Sequence, residues 1–378
     1  MPDWIIGLDA GEARLARIII VGAGIVGLST ARAALAHDHD VLILDAGAIP
    51  NQDGASWDSH RMIRQHYGDA IGYTRMVADA FVSWDGVWAD LGEMHFVDTG
   101  AIAIAETPGD YAHRTLDSFK HLGLPHDVLD AAETARLCPQ YVLNAQSWSL
   151  TGGRGGPLFA DRIVAGLARY LAEAGTALMP NSRVVALNHG AASVTLADGR
   201  TIAGDVVVLA AGAWGGRLWE GFADLPVMRQ ALLYVDPPAS YAAAWATGPA
   251  LVAYGDRGGY TLPGVGGTDL KFGHGGHRRP ANPDTGLDSL DGEADAILAG
   301  FAGYLRDVDQ YRPLRVRVGY YVMDASRRFQ IEGNARTIAI GNCDGQMFKF
   351  GPLVGERIVA AIEGTISMTD LSAWAAGR

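Results

Sequence analysis

The sequence predicts an α/β fold in which separated parts of the chain build one parallel sheet. Three observations predict it. A strand–helix–strand pattern spans residues 17–45, where the β-branched run 18–21 suits a strand buried on both faces. A second apolar run, 205–214, ends in small residues far along the chain. Between and after these runs come short strands, prolines and glycines, which indicates that the chain leaves the sheet and returns to it.

The first unit carries glycines at the spacing of a dinucleotide-binding turn. Gly22, Gly24 and Gly27 follow the first strand as GxGxxG. Glycine there permits the tight turn, the approach of the backbone to a pyrophosphate at the helix N terminus, and close helix–strand packing. Asp45 follows Gly27 by 18 positions, where it would accept a hydrogen bond from an adenosine ribose. The motif predicts a Rossmann-like unit that binds an adenine dinucleotide, and leaves FAD and NAD open.

The rest of the chain is predicted from its periodicity. Residues 47–67 form a long loop, of a kind that is often functional, and 73–91 form a helix whose tryptophans pack in the core. The later patterns predict a strand in 96–105, a helix in 110–122, a helix that ends at Gly175, strands at 183–187, 193–196 and 201–202, a helix over 292–305, strands at 315–322 and 337–340, and a last helix from about 353 to 362.

Composition narrows the class of protein. The 378 residues are 49% hydrophobic and 19% charged, which is typical of an ordered globular chain with room for two cores. The net charge of −12 argues against nucleic acid and anionic membranes as general partners, although a site can be locally basic. Asp3, Asp9 and Glu12 make the start unlike a signal peptide, and no apolar run is long enough to span a membrane, so we expect a cytoplasmic protein.

Motifs for other chemistries do not occur. Cys138 and Cys343 are the two cysteines, without a CxxC pair, and are predicted to be inert thiols. The 11 histidines form no HExxH, and His274 with His277 is predicted to be a loop pair, so no metal site is expected. There is no GxSxG and no GxxxxGK[ST].

Four segments together resemble the FAD-dependent amine oxidases, the family of monomeric sarcosine oxidase, glycine oxidase and D-amino-acid oxidase. They are GASWDSHRMIR (54–64), VVVLAAGAW (206–214), YTLP with KFGH (260–274) and GQMFKFGPLVGE (345–356), and they are most similar to the sarcosine oxidase branch. The resemblance implies a Rossmann-like FAD-binding domain split in sequence, with an interleaved α+β substrate domain built on an antiparallel sheet. The implied FAD-binding parts are 1–92, 151–221 and 320–378, and the substrate-domain parts are 93–150 and 222–319.

The resemblance also implies a reaction. It is oxidation of the amine of a small amino acid, secondary or N-substituted as in sarcosine, to an imine, with dioxygen reoxidising the flavin to give hydrogen peroxide. An alternative is a flavin dehydrogenase of the same fold that passes electrons to another acceptor. From the residues alone, an NAD-dependent dehydrogenase or a noncatalytic dinucleotide-binding protein also stays open.

The matching positions supply the expected substrate site. By resemblance, Arg64 and Lys349 hold the substrate carboxylate, which suits a planar guanidinium fork next to a point charge. Arg61 lies near the flavin ring, and Tyr260 and Tyr321 line the substrate cavity. For Arg64 and Lys349, a solvated surface position is the alternative.

Lys271 matches the lysine that activates dioxygen, because a cation beside the flavin stabilises the charge that builds on oxygen. Its alternative is a surface lysine on a strand edge. Two positions depart from the family: Gly319 stands where relatives carry the flavin-linking cysteine, so FAD is expected to be noncovalent, and the histidine after the lysine is displaced, with His274 or His277 as candidates. The residues expected to contact FAD are Gly22, Gly24, Ile25, Val26, Gly27, Asp45, Ala46, Ser56, Arg61, Val184, Ala211, Gly212, Trp214, Gly345, Met347, Phe348 and Lys349.

Overall fold

The structure, a computed structural model, describes residues 15–334 and 336–378. Its strands within that part of the chain are β1 (Arg17–Val21), β2 (Asp40–Leu44), β3 (Arg61–Ile63), β4 (Ala101–Ala105), β5 (Asp127–Leu129), β6 (Trp148–Thr151), β7 (Gly156–Leu158), β8 (Ala177–Met179), β9 (Val184–Asn188), β10 (Ser193–Leu196), β11 (Thr201–Ala203), β12 (Val206–Leu209), β13 (Val227–Asp236), β14 (Ala250–Tyr254), β15 (Gly259–Leu262), β16 (Leu270–His274), β17 (Arg279–Pro280), β18 (Arg312–Val322), β19 (Ile331–Asn334) and β20 (Thr337–Ile340). Its α-helices there are α1 (Ile25–Leu35), α2 (Ile71–Leu91), α3 (Tyr111–Leu122), α4 (Ala131–Leu137), α5 (Ala160–Glu173), α6 (Ala242–Thr247), α7 (Glu293–Ala299), α8 (Gly351–Ile362) and α9 (Met368–Ala375).

The two apolar runs that predicted the fold class are neighbours in one sheet. That sheet has six strands in the order β19-β20-β12-β1-β2-β8, and β12 pairs with β1 in parallel. Ile19 lies between Val207 on one side and Leu42 on the other. The strands come from three distant parts of the sequence, so the chain leaves this sheet and returns to it, as predicted.

Each face of the six-stranded sheet is covered by a different layer. The side chains of Ile18 and Ile20 join a core with α1, α2, α5, α8 and α9. The alternate residues Ile19 and Val21 face the three-stranded antiparallel sheet β9-β10-β11. Because both faces are buried, the strands read as continuous apolar runs rather than as alternating ones.

A second sheet builds the other part of the molecule. It has nine strands and is mainly antiparallel, with β13 and β18 paired from Val227 opposite Val322 to Asp236 opposite Arg312. Its core is rich in aromatic residues, among them Trp245 and Phe272. The α/β fold class, with a Rossmann-like unit and an antiparallel α+β unit, is therefore confirmed. The exact domain boundaries stay a prediction, and residues 1–14 of the first part lie outside the described residues.

Four elements differ from their prediction. The strand predicted from alternation over 96–105 is confined to β4, Ala101–Ala105, and is buried on both faces. The loop 47–67 contains β3, which is too short to show a period and forms because it pairs with β7. The helix expected over 292–305 ends at Ala299, where Gly300 follows, and Gly303 has a positive φ of 87°. The helix ending at Ile362 is not the last, because α9 follows it behind a capping box made by Ser367 and Asp370.

The predictions for the tryptophans and the cysteines hold. Trp84 and Trp88 of α2 are buried, and their rings stack at 4.9 Å between centroids. Cys138 is buried and Cys343 is partly buried, and both are free thiols. Among the helices of the described residues, none combines the length and apolar character that a membrane crossing needs.

Candidate functional site

A cavity of about 890 Å³ lies where the two large sheets meet. Its wall includes Val21 and Leu44 at the carboxyl ends of β1 and β2, and Leu232 of β13 on the opposite side. A ligand site at the carboxyl ends of parallel strands is the usual place in an open α/β sheet. Every site residue expected from the sequence lines this cavity, with the exception of Gly27.

The glycine turn has the shape that a dinucleotide phosphate needs. Gly22 has φ of 109°, a conformation that side chains rarely adopt, and a Cβ there would overlap Ala210. A Cβ on Gly27 would overlap the Gly22 carbonyl oxygen, so Gly27 serves helix–strand packing and not the cavity wall. Helix α1 begins directly after Gly24, which brings no side chain to cover the helix N terminus. These residues fit a pyrophosphate at the positive end of α1.

Asp45 is held in place from three sides at the end of β2. Its carboxylate accepts hydrogen bonds from the N–H groups of Ala23 (2.9 Å) and Gly47 (2.8 Å) and from Asn51 Nδ2 (2.9 Å). An ionised carboxylate offers about four lone-pair sites, so one remains for a ribose hydroxyl. The Asp45 position therefore fits the adenosine end of the cofactor.

The cavity is positive although the chain carries a net charge of −12. Nine Arg and Lys residues line it against four Asp residues. Among the described residues, five of those cations have no carboxylate oxygen within 4.0 Å: Arg64, Arg183, Arg278, Arg317 and Lys349. Arg183 is exposed to solvent, whereas Lys349 is buried and Arg64, Arg278 and Arg317 are half-buried. A desolvated cation without a partner is costly, so the cavity is suited to anionic ligands.

Arg64 and Lys349 lie together and share two neighbours. Arg64 Nη2 donates to Gln346 Oε1 at 3.3 Å, and Lys349 Nζ donates to the Gln346 carbonyl oxygen at 3.2 Å. The Tyr67 ring lies 4.3 Å from the Arg64 guanidinium carbon and 5.6 Å from Lys349 Nζ. Lys349 is only 6% exposed, so the solvated alternative for it is wrong.

Helical geometry fixes the position of Lys349. It lies in a short 3₁₀ turn, Met347–Phe350, directly before α8, and its carbonyl oxygen accepts a hydrogen bond from Trp84 Nε1 at 2.8 Å. Burial lowers the pKa of Lys349 well below its ordinary value, and the neighbouring Arg64 charge lowers it further. A bound anion would restore the protonated form.

Lys271 is buried in the middle of the second sheet, not on an edge. Its strand β16 lies between β13 and β15, and the residue is 1% exposed. Lys271 Nζ donates to Asp58 Oδ2 at 2.7 Å and to the His60 carbonyl oxygen. The surface alternative for Lys271 is therefore wrong, and its charge is compensated inside the protein.

Asp58 joins three side chains into one buried network. Besides Lys271, it contacts Arg61 Nη1 at 2.8 Å and accepts a hydrogen bond from the Tyr234 hydroxyl. Burial alone would raise the pKa of Asp58, but the charges of Lys271 and Arg61 lower it well below its ordinary value. Burial lowers the pKa of Lys271 to about 8, and the carboxylate of Asp58 offsets part of that fall.

Several residues of the site were not found from the sequence. Asp58, Tyr234 and Gln346 organise the cations, and their contacts depend on the fold rather than on a local pattern. A lysine in an apolar strand is a signal that a buried partner exists, but it does not identify that partner. Neither His274 nor His277 lines the cavity. Their ring centroids lie 5.4 Å apart, but His274 ends strand β16 and His277 lies in a 3₁₀ turn, so the two do not form the predicted loop pair.

Gly319, which stands where the resemblance implies a flavin-linking cysteine, faces open space. Gly319 of β18 lines the cavity, and a Cβ built on it would meet no atom of the described chain within 4 Å. His60 also lines the cavity, and burial lowers its pKa well below its ordinary value. No group of three or more His, Cys, Asp or Glu residues that could hold a metal ion occurs in the described ranges.

The chain is similar in sequence to curated proteins. N-methyl-L-tryptophan oxidase of Yersinia pestis (strain Pestoides F) is 26% identical over 214 residues, and the match spans 56% of this chain and 57% of that protein. The chain thus spans a little over half the length of the curated relatives it matches.

Solved structures share the fold across nearly the whole length. One is NikD, an amino acid oxidase essential for nikkomycin biosynthesis, with a TM-score of 0.80, 21% identity, and coverage of 96% of this chain and 98% of that one. Another is the fructosyl amine:oxygen oxidoreductase Amadoriase I of Aspergillus fumigatus, with a TM-score of 0.75, 17% identity, and coverage of 93% and 87%. The family model described as FAD dependent oxidoreductase (DAO) matches residues 17–361. Since that match covers most of the chain, this protein belongs to the FAD dependent oxidoreductase family.

Proposed function

We propose that the protein oxidises the amine of a small amino acid, one with a secondary or N-substituted amine, to an imine. Dioxygen takes up the two electrons and two protons that the amine loses, which gives hydrogen peroxide, and water hydrolyses the imine. The observation that carries this proposal is the pair Arg64 and Lys349, two cations in the cofactor cavity that have no carboxylate partner within 4.0 Å in the described chain.

The pair is suited to a carboxylate. Arg64 Nη1 donates to the His66 carbonyl oxygen and Nη2 to Gln346 Oε1, and the second N–H of each nitrogen is left for a carboxylate. Lys349 adds a point charge from a buried position. Burying a charge is costly unless it is paired, so a carboxylate that enters the cavity gains from both cations. Gln346 accepts a hydrogen bond from each of them, from Arg64 through its side-chain oxygen and from Lys349 through its backbone carbonyl oxygen, which keeps the two head groups near each other.

A fixed carboxylate orients the rest of the substrate. Bound FAD supplies the two-electron acceptor for the C–H bond next to the amine nitrogen. Arg64 and Lys349 hold one end of the amino acid, which sets where its amine and the adjacent carbon lie. Tyr260 and Tyr321 line the same cavity, and because burial raises both their pKa values, they stay neutral hydroxyl donors at neutral pH.

Lys271 supports dioxygen as the electron acceptor over another acceptor. It holds a positive charge on the cavity wall in a dry environment, where it stabilises negative charge on oxygen more than it would in water. Asp58 keeps that charge present near neutral pH, because the carboxylate favours the ammonium form.

We also propose that FAD is held without a covalent bond. Glycine has no thiol with which to bind a flavin, and Gly319 stands where the resemblance implies the linking cysteine. Acid precipitation should leave the yellow colour in the supernatant. Colour in the pellet would contradict noncovalent binding.

The test of function is anaerobic bleaching of the flavin absorbance. A panel of N-methyl, cyclic and D-amino acids is mixed with the holoenzyme, and peroxide release is then measured under air. We expect bleaching by at least one N-substituted amino acid, followed by stoichiometric peroxide. A colourless protein that binds NADH, or a flavin that no amino acid bleaches, would refute the proposal, whereas bleaching without peroxide would point to the dehydrogenase.

A matched pair of lysine variants tests the carboxylate site. Lys349→Met should raise the KM for the substrate by about 10-fold to 100-fold, since a charge-assisted hydrogen bond is lost. Lys120→Met removes the same charge from an exposed position at the end of α3 and should leave KM unchanged. Equal KM values for the Lys349 variant and the unmodified enzyme, with FAD still bound, would contradict the assignment.

A further inference from the structure

Arg278 is a cation on the cavity wall that neither the cofactor residues nor the carboxylate pair accounts for. Its Nε donates to the Gly275 carbonyl oxygen at 3.1 Å, and its Nη1 lies 3.1 Å from the thioether sulfur of Met323. These are neutral, and for sulfur weak, acceptors. Among the described residues, no carboxylate oxygen lies within 4.0 Å of the guanidinium, and part of its five N–H donors is left for a ligand besides Gly275, Met323 and the neighbouring Tyr321.

Arg278 lies at the substrate end of the cavity rather than at the nucleotide end. Burial raises the pKa of Tyr321, and the adjacent Arg278 guanidinium offsets part of that rise, so the two side chains are neighbours. Tyr321 in turn packs against Gly345, where a Cβ would lie 2.8 Å from the tyrosine ring. Gln346, the next residue, carries the contacts to Arg64 and Lys349. Arg278 is thus separated from the carboxylate pair by Tyr321 and the 345–346 backbone.

Among the other cations of this wall, Arg317 also lacks a carboxylate but donates to the carbonyl oxygens of Gln52 and Trp57, and three more have carboxylate partners. Arg61 and Lys271 share Asp58, and Arg327 pairs with Asp344. Asp344 is further held by Gln346 Nε2 at 2.5 Å. Arg278 therefore remains as an uncompensated positive charge beyond the place assigned to the substrate's own carboxylate.

We propose, resting on the function proposed above, that Arg278 binds a second carboxylate, so that the substrate is an N-substituted acidic amino acid. An apolar side chain in the same place would cover the guanidinium without pairing it, which disfavours such substrates. A neutral amide would accept a hydrogen bond but leave the charge uncompensated. A side-chain carboxylate satisfies both the charge and the fork of donors.

The first experiment compares matched substrates. The values of kcat/KM are measured for N-methylglutamate against N-methylglutamine, and for N-methylaspartate against N-methylasparagine, in both enantiomers. Each pair differs in charge but hardly in shape. We expect the acid to be preferred over its amide by about 10-fold to 100-fold, the range for a hydrogen bond between charged groups.

Variants then assign the preference to one residue. Arg278→Gln should reduce the ratio of acid to amide to near one, and Arg278→Lys, which keeps the charge but loses the fork, should fall between. Arg279→Gln is the matched control, because Arg279 is the next residue, is exposed and does not line the cavity. Its ratio should equal that of the unmodified enzyme, and a ratio that Arg278→Gln leaves unchanged would overturn the proposal.

A binding measurement separates this proposal from the proposed function. Glutarate and its monoamide glutaramate are added to the oxidised holoenzyme, and changes in flavin absorbance and in Tm are followed. Tighter binding of glutarate that Arg278→Gln removes supports the second anion site, even if no amino acid bleaches the flavin and the function fails. Oxidation of N-methyl amino acids with no preference for acids, and equal binding of glutarate and glutaramate, would overturn the second site while the function stands.

Discussion

Replacing Asp58 by Asn tests whether Asp58 sets the charge of Lys271. The two side chains are each 1% exposed, and Lys271 Nζ lies 2.7 Å from Asp58 Oδ2. Asn keeps a polar group in the same volume but removes the negative charge. Losing an opposite charge at this range shifts a pKa by about 1–3 units, so the pKa of Lys271 should fall from about 8 to between about 5 and 7.

The change in charge at pH 7 is then large. In the unmodified enzyme Lys271 is about nine-tenths protonated at pH 7, given a pKa of about 8. In the Asp58→Asn variant the protonated fraction should lie between about one half and one hundredth. If the ammonium speeds the reaction of the reduced flavin with dioxygen, the rate constant must follow this fraction.

The assay is stopped-flow mixing of anaerobically reduced enzyme with dioxygen between pH 5 and pH 10, followed by the return of flavin absorbance. Because the active form is the cation, the rate of the unmodified enzyme should be constant at low pH and fall as pH rises through about 8. The fall should move to lower pH by about 1–3 units in Asp58→Asn. It should disappear in Lys271→Met, which lacks the titrating group.

The controls separate charge from loss of structure. Removing one member of a buried ion pair costs about 3–5 kcal/mol of folding free energy, so Tm and FAD content are measured for both single variants and for the double variant. The double variant Asp58→Asn/Lys271→Met, which no longer buries an ammonium without its carboxylate, should be more stable than Asp58→Asn, since both variants leave Arg61 without Asp58. Superimposable pH profiles for Asp58→Asn and the unmodified enzyme, with FAD bound in both, would refute the idea that Asp58 controls Lys271.

Three further predictions follow from single contacts. Substrate binding should take up a proton, because burial and the Arg64 charge lower the pKa of Lys349 and a bound carboxylate raises it again. The affinity for substrate should therefore weaken as pH rises. Calorimetry in buffers of different ionisation enthalpy should show this proton uptake, and Lys349→Met should abolish it. Gly319→Cys should fold normally, because a Cβ at this position meets no described atom within 4 Å. If the new thiol reaches the cofactor, the denatured variant should retain flavin fluorescence on a gel. A fall in Tm of several degrees would contradict the open space around Gly319. Gly27→Ala should lower the free energy of unfolding by about 1–3 kcal/mol or more and reduce the FAD content, since the added Cβ overlaps the Gly22 carbonyl oxygen. Gly190→Ala is the control and should change neither quantity, because its Cβ would lie 3.8 Å from the nearest atom.

Local patterns predicted the parts of the fold that local physics decides. The run 18–21 is buried on both faces and therefore reads as a continuous apolar strand, and its partner 206–209 reads in the same way. Two elements were missed for opposite reasons. Strand β3 has three residues and exists because it pairs with distant β7, where Arg61 lies opposite Leu158, 97 positions along the chain. Helix α9 has a local capping signal at Ser367, but its eight residues are too few for a clear helical period.

The candidate site shows the same difference between residues placed by local sequence and residues brought together by the tertiary fold. Gly22, Gly24 and Asp45 lie on adjacent elements, so the glycine spacing, together with the strand before it, the helix after it and the later acidic residue, predicted an adenine dinucleotide. Lys271 and Asp58 are 213 positions apart, and no spacing rule connects them. The sequence could therefore indicate a lysine of interest, but whether that lysine is exposed, paired or uncompensated is decided by the tertiary fold.

The cations of the cavity fall into two groups, those paired with a carboxylate of the protein and those without such a partner. Nine Arg and Lys residues line this one cavity, although the chain as a whole is acidic. Four of them pair with carboxylates of the protein itself: Arg61, Arg217, Lys271 and Arg327. Such pairs position a charge at a fixed place, as Asp58 does for Lys271. The cations without carboxylate partners have a different use, because their charge is balanced only when a ligand arrives. Under the function proposed above, Arg64 with Lys349 and, on the other side of Tyr321, Arg278 would provide two separate places for negative charge on one substrate, which constrains its chemistry more than the surrounding fold does.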